Sequence, residues 1–341
     1  MAKQAVPGDV AVKERAAPAR PGVGSRVARA LLSRREASVF IVALGLAVYF
    51  QSSNSAFLSP GNIRTLTEFT AATAIISAGL VMLLICGEID LSVGQAFGFA
   101  PIIMYLSDQS FLLPVAIVIA LVVAAVVGLV NGIVTVYFRV PSFITTLGMF
   151  FLLAGLNVTL TDGFPKPAPE ETALTRILGA ADWSVIGWAI AVIVLMHVLL
   201  NHTRWGLHTF ATGGNFIGAR EAGVRVEMVK IGNFMLCSAL GGFAGILEAI
   251  RIDSIDPLGG GADIMFRAVS AAVIGGTALA GGVGTVLGAF FGVVVLSILE
   301  NGFTLQGISA YTFNIILGIA ILIAMTLNVY VGRLRRMGGR T

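Results

Sequence analysis

Leu112-Leu113-Pro114-Val115-Ala116-Ile117-Val118-Ile119-Ala120-Leu121-Val122-Val123-Ala124-Ala125-Val126-Val127-Gly128-Leu129-Val130 decides the fold class, because this stretch carries no charge at all. A helix rises ~1.5 Å per residue, so about 20 apolar residues cross a hydrocarbon core ~30 Å thick. Backbone polar groups cannot face lipid unpaired, so such a run is a helix or part of a closed barrel. Period-two alternation is absent here, which excludes the barrel. Working outward, the helical run extends over 112–135, and nine more apolar runs flank it. They lie at 38–56, 67–86, 91–107, 141–160, 183–200, 229–250, 265–280, 284–300 and 310–331. The runs at 91–107, 265–280 and 284–300 are short and glycine-rich, and read as broken or re-entrant segments. The expected fold is an all-α, polytopic transmembrane helical bundle of about ten spans.

Composition agrees. Hydrophobic residues make up 57% of the 341 residues, and 41 glycines come in addition. Charged residues are 12%, against ~25% in soluble domains. Mean hydropathy is +0.92. A disordered chain, a collagen-like repeat, a disulfide scaffold and an ordinary water-soluble enzyme are thereby set aside. Cys86 and Cys237 both lie in apolar runs and read as helix-surface residues rather than a bridge or a metal site. The net charge of +4 does not point to nucleic acid, because the excess Lys and Arg sit beside membrane segments.

The placement of those cations predicts orientation. The N-terminal tail, Arg139, the loop 201–230 and the C-terminal tail hold 17 of the 22 Lys and Arg. The other five are Arg64, Lys166, Arg176, Arg251 and Arg267. The positive-inside rule then places both termini in the cytoplasm and loops 161–182 and 251–263 outside. The tail 1–36 is basic, contains Pro7, Pro18 and Pro21, and reads as disordered and cytoplasmic. The segment 38–56 reads as an uncleaved first helix, and 332–341 as a second basic cytoplasmic tail.

Three constellations stand out. In Gly87-Glu88-Ile89-Asp90-Leu91-Ser92-Val93-Gly94, two acids lie between apolar runs. Intramembrane acids usually face a cavity or a partner. Equally, Asp90 suits an N-cap in a short turn. The segment 203–224 is the long charged interior loop of the predicted cytoplasmic face. Within it, Asn215 caps a short helix extending to Ala222, which Gly223 ends. A helix of this kind presents a fixed face to a partner's groove. Gly275-Gly276-Thr277-Ala278-Leu279-Ala280-Gly281-Gly282-Val283-Gly284-Thr285 lacks the Gly-Lys-Ser/Thr ending of a P-loop and reads as close helix packing or a helix break. Asn131, Asn157, Asn233, Glu248, Asn301 and Asn314 are polar points in apolar runs, suited to interhelical bonds or path lining. Glu248 and Arg251 are spaced to pair on one helix face. The three His residues show no metal-ligand spacing, and no Walker A motif, nucleophile elbow or dinucleotide fingerprint occurs.

Taken in order, Gly87–Gly94, Thr203-Arg204-Trp205-Gly206, Gly213-Gly214-Asn215, and Gly275–Gly282 with Glu300-Asn301-Gly302 resemble the membrane permease subunit of ribose/xylose-type ABC importers. The resemblance covers about residues 40–330. It implies a transport subunit in 37–331, with no catalytic residues, metal or cofactor of its own. ATP and Mg would be used on separate ATPase chains. The further partners implied are a periplasmic or lipid-anchored sugar-binding protein and a second permease, commonly an identical copy. The implied location is the bacterial inner membrane. By the same resemblance, Gly213, Gly214, Asn215, Arg220 and Gly223 form the ATPase-coupling segment within 203–224. Glu88, Asp90, Ser92, Asn131, Glu248 and Asn301 are the expected path-lining or helix-breaking residues. The cargo implied is a monosaccharide or related polyol. The sequence departs from the family pattern at Glu88, where glycine is usual. It departs again at Met265 and Arg267, where the family commonly has acids, and over 216–219, which lack the usual alanine pair. Competing readings are a permease for branched-chain amino acids or nucleosides, a proton-coupled secondary transporter using Glu88 or Asp90, and a membrane-embedded enzyme.

Overall fold

The computed structural model describes residues 35–309 and, beyond them, positions 312, 314–316, 318, 319, 322 and 326. Its helices are α1 (Arg35–Ser53), α2 (Pro60–Ile85), α3 (Val93–Asp108), α4 (Leu113–Tyr137), α5 (Ser142–Thr161), α6 (Ser184–His202), α7 (Arg204–Gly214), α8 (Phe216–Glu221), α9 (Val226–Arg251), α10 (Gly261–Ile274) and α11 (Val286–Leu305). Between α5 and α6 a three-residue helix, Ala173–Thr175, runs into the π-turn Arg176–Ala180. Two short strands, β1 (Lys166–Pro167) and β2 (Ser254–Ile255), pair antiparallel.

Among the described residues, seven helices are long and apolar enough to cross a membrane: α1, α2, α4, α5, α6, α9 and α11. This is fewer than the ten runs read from the sequence. α3 and α10 have 16 and 14 residues, hence ~24 and ~21 Å of rise, short of a ~30 Å core. The run 284–300 is instead a full helix of 20 residues, because Thr285 caps it cleanly through the Gly288 amide. The run 310–331 and the two basic tails lie largely or wholly outside the described residues.

α2 and α9 form the centre. α2 starts seven residues before the sequence reading, because Ser59 caps the Asn62 amide and Pro60 provides the fixed φ of a first turn. Its C-terminal half, Thr70 to Ile85, is almost wholly buried. α9 carries a face of Gly241, Gly242 and Gly245 against α3 and α4. A Cβ on Gly245 would lie 1.8 Å from the Phe97 carbonyl oxygen, and one on Gly242 would lie 2.8 Å from the Cβ atoms of Ala100 and Ala124. Small residues allow this approach, and with no hydrophobic drive inside lipid such close packing is what holds helices together. α1 lies at the edge and packs on α11 through Phe50, which contacts Phe57 and Phe303.

The bundle has two chemically different ends. At the strand end, β1 and β2 join the loop after α5 to the loop after α9. Arg64 at the start of α2 pairs with Asp182 there at 2.7 Å, and Asn62 and Asn301 exchange two side-chain hydrogen bonds. Loops 161–182 and 251–263 therefore share one end, as the charge count expects. At the opposite, glycine end, the chain after α2, the end of α7 and the turn between α10 and α11 converge. The Gly282 amide donates to the Ile85 carbonyl at 2.8 Å. A Cβ on Gly213 would lie 1.6 Å from that same oxygen, so only glycine fits. Three glycine motifs separated by up to 200 residues thus meet at one junction.

Candidate functional site

The segment 203–224 folds as two helices rather than a loop with one. Thr203 caps α7 through the Gly206 amide, and Thr209 and Thr212 of α7 are buried. Trp205 lies over Gly232 of α9, and its indole N–H donates to Asn233 Oδ1 at 2.8 Å. The short helix expected after Asn215 is present as α8. Asn215 Oδ1 accepts from the Gly218 amide at 3.0 Å. Gly223 sits at φ +83° past the helix end, and the Val224 amide returns to the Ala219 carbonyl at 3.0 Å. That is a Schellman stop, the arrangement in which glycine is favoured. α8 leaves Arg220 and Ile217 exposed, and Arg220 makes a 3.4 Å pair with Glu227. Gly214 and Asn215 are also exposed, whereas Gly213 is part of the packed junction.

Glu88 belongs to this end. Its carboxylate accepts from Lys230 Nζ, which also stands 5.4 Å from the Phe216 ring centroid. The pair lines a cavity of about 770 Å³ together with Arg139, Arg220, Arg225 and Tyr137.

Asp90 and Ser92 lie deeper, fully buried in the non-helical link before α3. Asp90 Oδ1 accepts from the Ser92 amide at 2.8 Å and the Ser92 hydroxyl at 2.6 Å, and Oδ2 accepts from the Ser238 hydroxyl at 3.1 Å. Asn131 Nδ2 donates to Ser92 Oγ at 2.8 Å. The network ties the broken chain to α4 and α9. Asp90 is not the N-cap of α3, a position that Ser92 holds without a side-chain cap bond; the Asp90 carboxyl is occupied as a brace by donors from its own segment and from α9.

Toward the strand end, α2, α9, α10 and α11 enclose a charged chamber. Arg251 grips Glu248 with two bonds, 2.8 and 2.6 Å, and reaches Glu68 at 3.1 Å. The expected Glu248–Arg251 pair is therefore formed. Arg267 binds Asp263 at 2.8 Å and also Glu300. These groups border a cavity of about 200 Å³ with Phe69 and Phe97 in its wall. A second cavity of about 270 Å³ shares Phe97, Glu248, Asp263 and Ile264 with it and adds Asp256. Carboxylates that accept, guanidinium groups that donate, and phenyl faces beside them suit a small molecule rich in hydroxyls.

Of the six path candidates read from the sequence, Glu248 lines this chamber and Glu88 lines the cavity at the glycine end. Asp90, Ser92 and Asn131 form the brace, and Asn301 joins α11 to Asn62 of α2. Sequence reasoning did not assign Glu68, Asp263, Arg267 and Glu300 to a common site. The available signal was that all four stand within or beside apolar runs, where a charge is costly unless partnered.

A family model described as the permease component of the branched-chain amino acid transport system matches residues 62–325. The xylose/arabinose import permease of Sulfolobus acidocaldarius is 38% identical over 89% of this chain and 87% of its own length. The ribose import permease of Escherichia coli K12 is 31% identical over 87% of this chain and 94% of its own. The autoinducer 2 import system permease of Photorhabdus luminescens is 31% identical over 89% and 91%. No solved structure matches.

Proposed function

The chain belongs to the family of permease components of branched-chain amino-acid-type transport systems, and from that premise we propose that it forms the membrane path for a monosaccharide or related polyol in an ABC importer. It is a multi-pass membrane transport subunit, not a catalytic one. The observation that carries the cargo reading is the set of relatives named for xylose/arabinose and ribose import, aligned over most of both chains. The charged chamber supports the same reading, because its donors and acceptors match hydroxyl groups.

In this reading ATP and Mg act on a pair of ATPase subunits, which dock at α8 through Asn215, Arg220 and the chain turned by Gly223. A sugar-binding protein delivers cargo at the strand end. The permease works as a homodimer in the bacterial inner membrane, with both termini and α8 cytoplasmic and 1–36 and 332–341 as basic tails. Movement at α8 opens the path alternately to each side. Cargo passes through the chamber bordered by Glu68, Glu248, Asp263 and Glu300.

The test is reconstitution of the permease with the ATPase and sugar-binding protein that this reading requires. Labelled pentose should enter proteoliposomes only with ATP inside, and excess unlabelled leucine should not compete. ATP-driven uptake of labelled leucine, with no pentose uptake, would replace the sugar reading by the amino-acid one. Uptake driven by a proton gradient without ATP would remove the importer reading.

A further inference from the structure

The strand end is strongly acidic. The segments 62–68 and 162–182, Asp108, 248–267 and Glu300 carry eleven carboxylates against five cations, a surplus of six negative charges. The chamber repeats this imbalance on a smaller scale. Its own walls hold Glu68, Glu248, Asp263 and Glu300 against Arg251 and Arg267. Every guanidinium there is shared between two carboxylates: Arg251 between Glu68 and Glu248, Arg267 between Asp263 and Glu300. The neighbouring cavity adds Asp256 and no cation of its own. Asp256 is paired to a backbone amide, with Oδ1 accepting from Leu258 N–H, so its charge is not neutralised.

A net negative cavity with low-dielectric walls focuses its field on whatever enters. Two uncompensated charges act with little screening once water is confined, so an anion is repelled and a cation attracted more strongly than in bulk solvent. A neutral molecule pays no such penalty and still finds acceptors for its hydroxyls.

We propose that this chamber is an electrostatic filter that admits uncharged or cationic polyhydroxylated cargo and holds back anionic sugars such as uronates and sugar phosphates. The proposal rests on the reading of the chamber as part of the path. It assigns a selection step to the permease itself, additional to any made by a binding protein.

The test reads the local potential directly and needs no binding protein. Ile264, which borders both cavities, is changed to Cys in the permease–ATPase complex in nanodiscs. The native Cys86 and Cys237 are buried, and the parent complex reports their background. Reaction rates are measured with cationic, anionic and neutral methanethiosulfonates of similar size. With each rate divided by that of the same reagent on a free small thiol, the cationic reagent should react roughly tenfold faster than the anionic one at low salt, with the gap closing as salt rises. In Asp256→Asn, which keeps an acceptor for the Leu258 amide but loses the charge, the ratio should fall roughly threefold. Equal normalised rates, or a faster anion, would overturn the filter while leaving the chamber open to solutes. Failure of all three reagents, the neutral one included, would overturn the filter and the chamber's place in the path together.

Discussion

Removing the Asp90 carboxyl should loosen the link between α2 and α3 by a predictable amount. Asp90 is fully buried and accepts three hydrogen bonds, from the Ser92 amide, the Ser92 hydroxyl and the Ser238 hydroxyl. In Asp90→Ala all three donors lose their acceptor. A buried unsatisfied donor costs ~1–3 kcal/mol. Hydroxyls can rotate toward other acceptors, and interhelical hydrogen bonds inside membranes average only ~0.6 kcal/mol. The Ser92 amide cannot rotate, so it sets the larger share, and a total near 2–4 kcal/mol follows. Asp90→Asn keeps Oδ1 for both Ser92 donors and places an amide nitrogen opposite Ser238, whose hydroxyl can turn to accept. Its cost should be about 1 kcal/mol. Ser238→Ala removes one rotatable donor and should cost about 0.6 kcal/mol. Denaturant unfolding in mixed micelles gives these values, and the double variant Asp90→Ala/Ser238→Ala should cost less than the sum of its parts. Asp90→Asn should also retain ATP-driven uptake that a protonophore does not abolish at constant ATP. If Asp90→Asn is as damaging as Asp90→Ala, the group acts through its charge and the brace argument fails.

Gly213→Ala should destabilise the fold by ~1–3 kcal/mol or more, since its Cβ would meet the Ile85 carbonyl, while the neighbouring Gly214→Ala, with nothing within 4 Å, should leave the unfolding midpoint unchanged. Gly223→Ala meets no neighbour but sits at φ +83°, so a cost of ~1–2 kcal/mol should come from backbone strain alone, and Gly223→Val should cost more. Arg220→Glu breaks only an exposed pair with Glu227 and should not move the unfolding midpoint, yet pull-down of the ATPase should weaken several-fold. An outside-active reporter fused after Ala168 should work and one fused after Arg336 should not; the reverse pattern would invert the proposed orientation.

The parts of the fold legible in the sequence were those governed by local rules. The capped helix after Asn215 and its stop at Gly223 depend on residues at most nine apart, and the structure realises both. The charge-free run 112–130 gave α4 for the same reason. α7 escaped because its polar residues, Thr209 and Thr212, turn inward while Leu207 faces out, so its pattern reads as an irregular loop. The start of α2 escaped because Asn62, Arg64 and Thr65 look like a polar connector until Asn301 and Asp182 arrive as partners. The chamber escaped for a stronger version of that reason. Its ion pairs join Glu68 to Arg251 and Arg267 to Glu300, separations that no helical spacing encodes. Glu248–Arg251 and Asp263–Arg267, three and four residues apart, are the pairs that helical spacing encodes, and of these only the first is paired from the sequence.

The same long-range contacts suggest how a force at α8 would reach the chamber. α8 follows α7 directly, and Gly213 in the last turn of α7 packs against the Ile85 carbonyl, with Gly282 donating to that oxygen. No side chain cushions this junction, so a displacement of α7 must move the end of α2 or the turn leading into α11. α2 is buried along most of its length and carries Glu68 on its other half. α11 carries Glu300. Each helix therefore holds one acid of the chamber, and each acid is shared with an arginine on a different helix: Glu68 with Arg251 of α9, Glu300 with Arg267 of α10. A shift of α2 along its axis would be felt at the Arg251–Glu68 pair of 3.1 Å, and one of α11 at Arg267–Glu300, where small movements decide whether contact persists. Glycine at the junction and paired charges at the far end are thus complementary requirements. The first lets motion enter the helix without slack, and the second makes the chamber's lining sensitive to it.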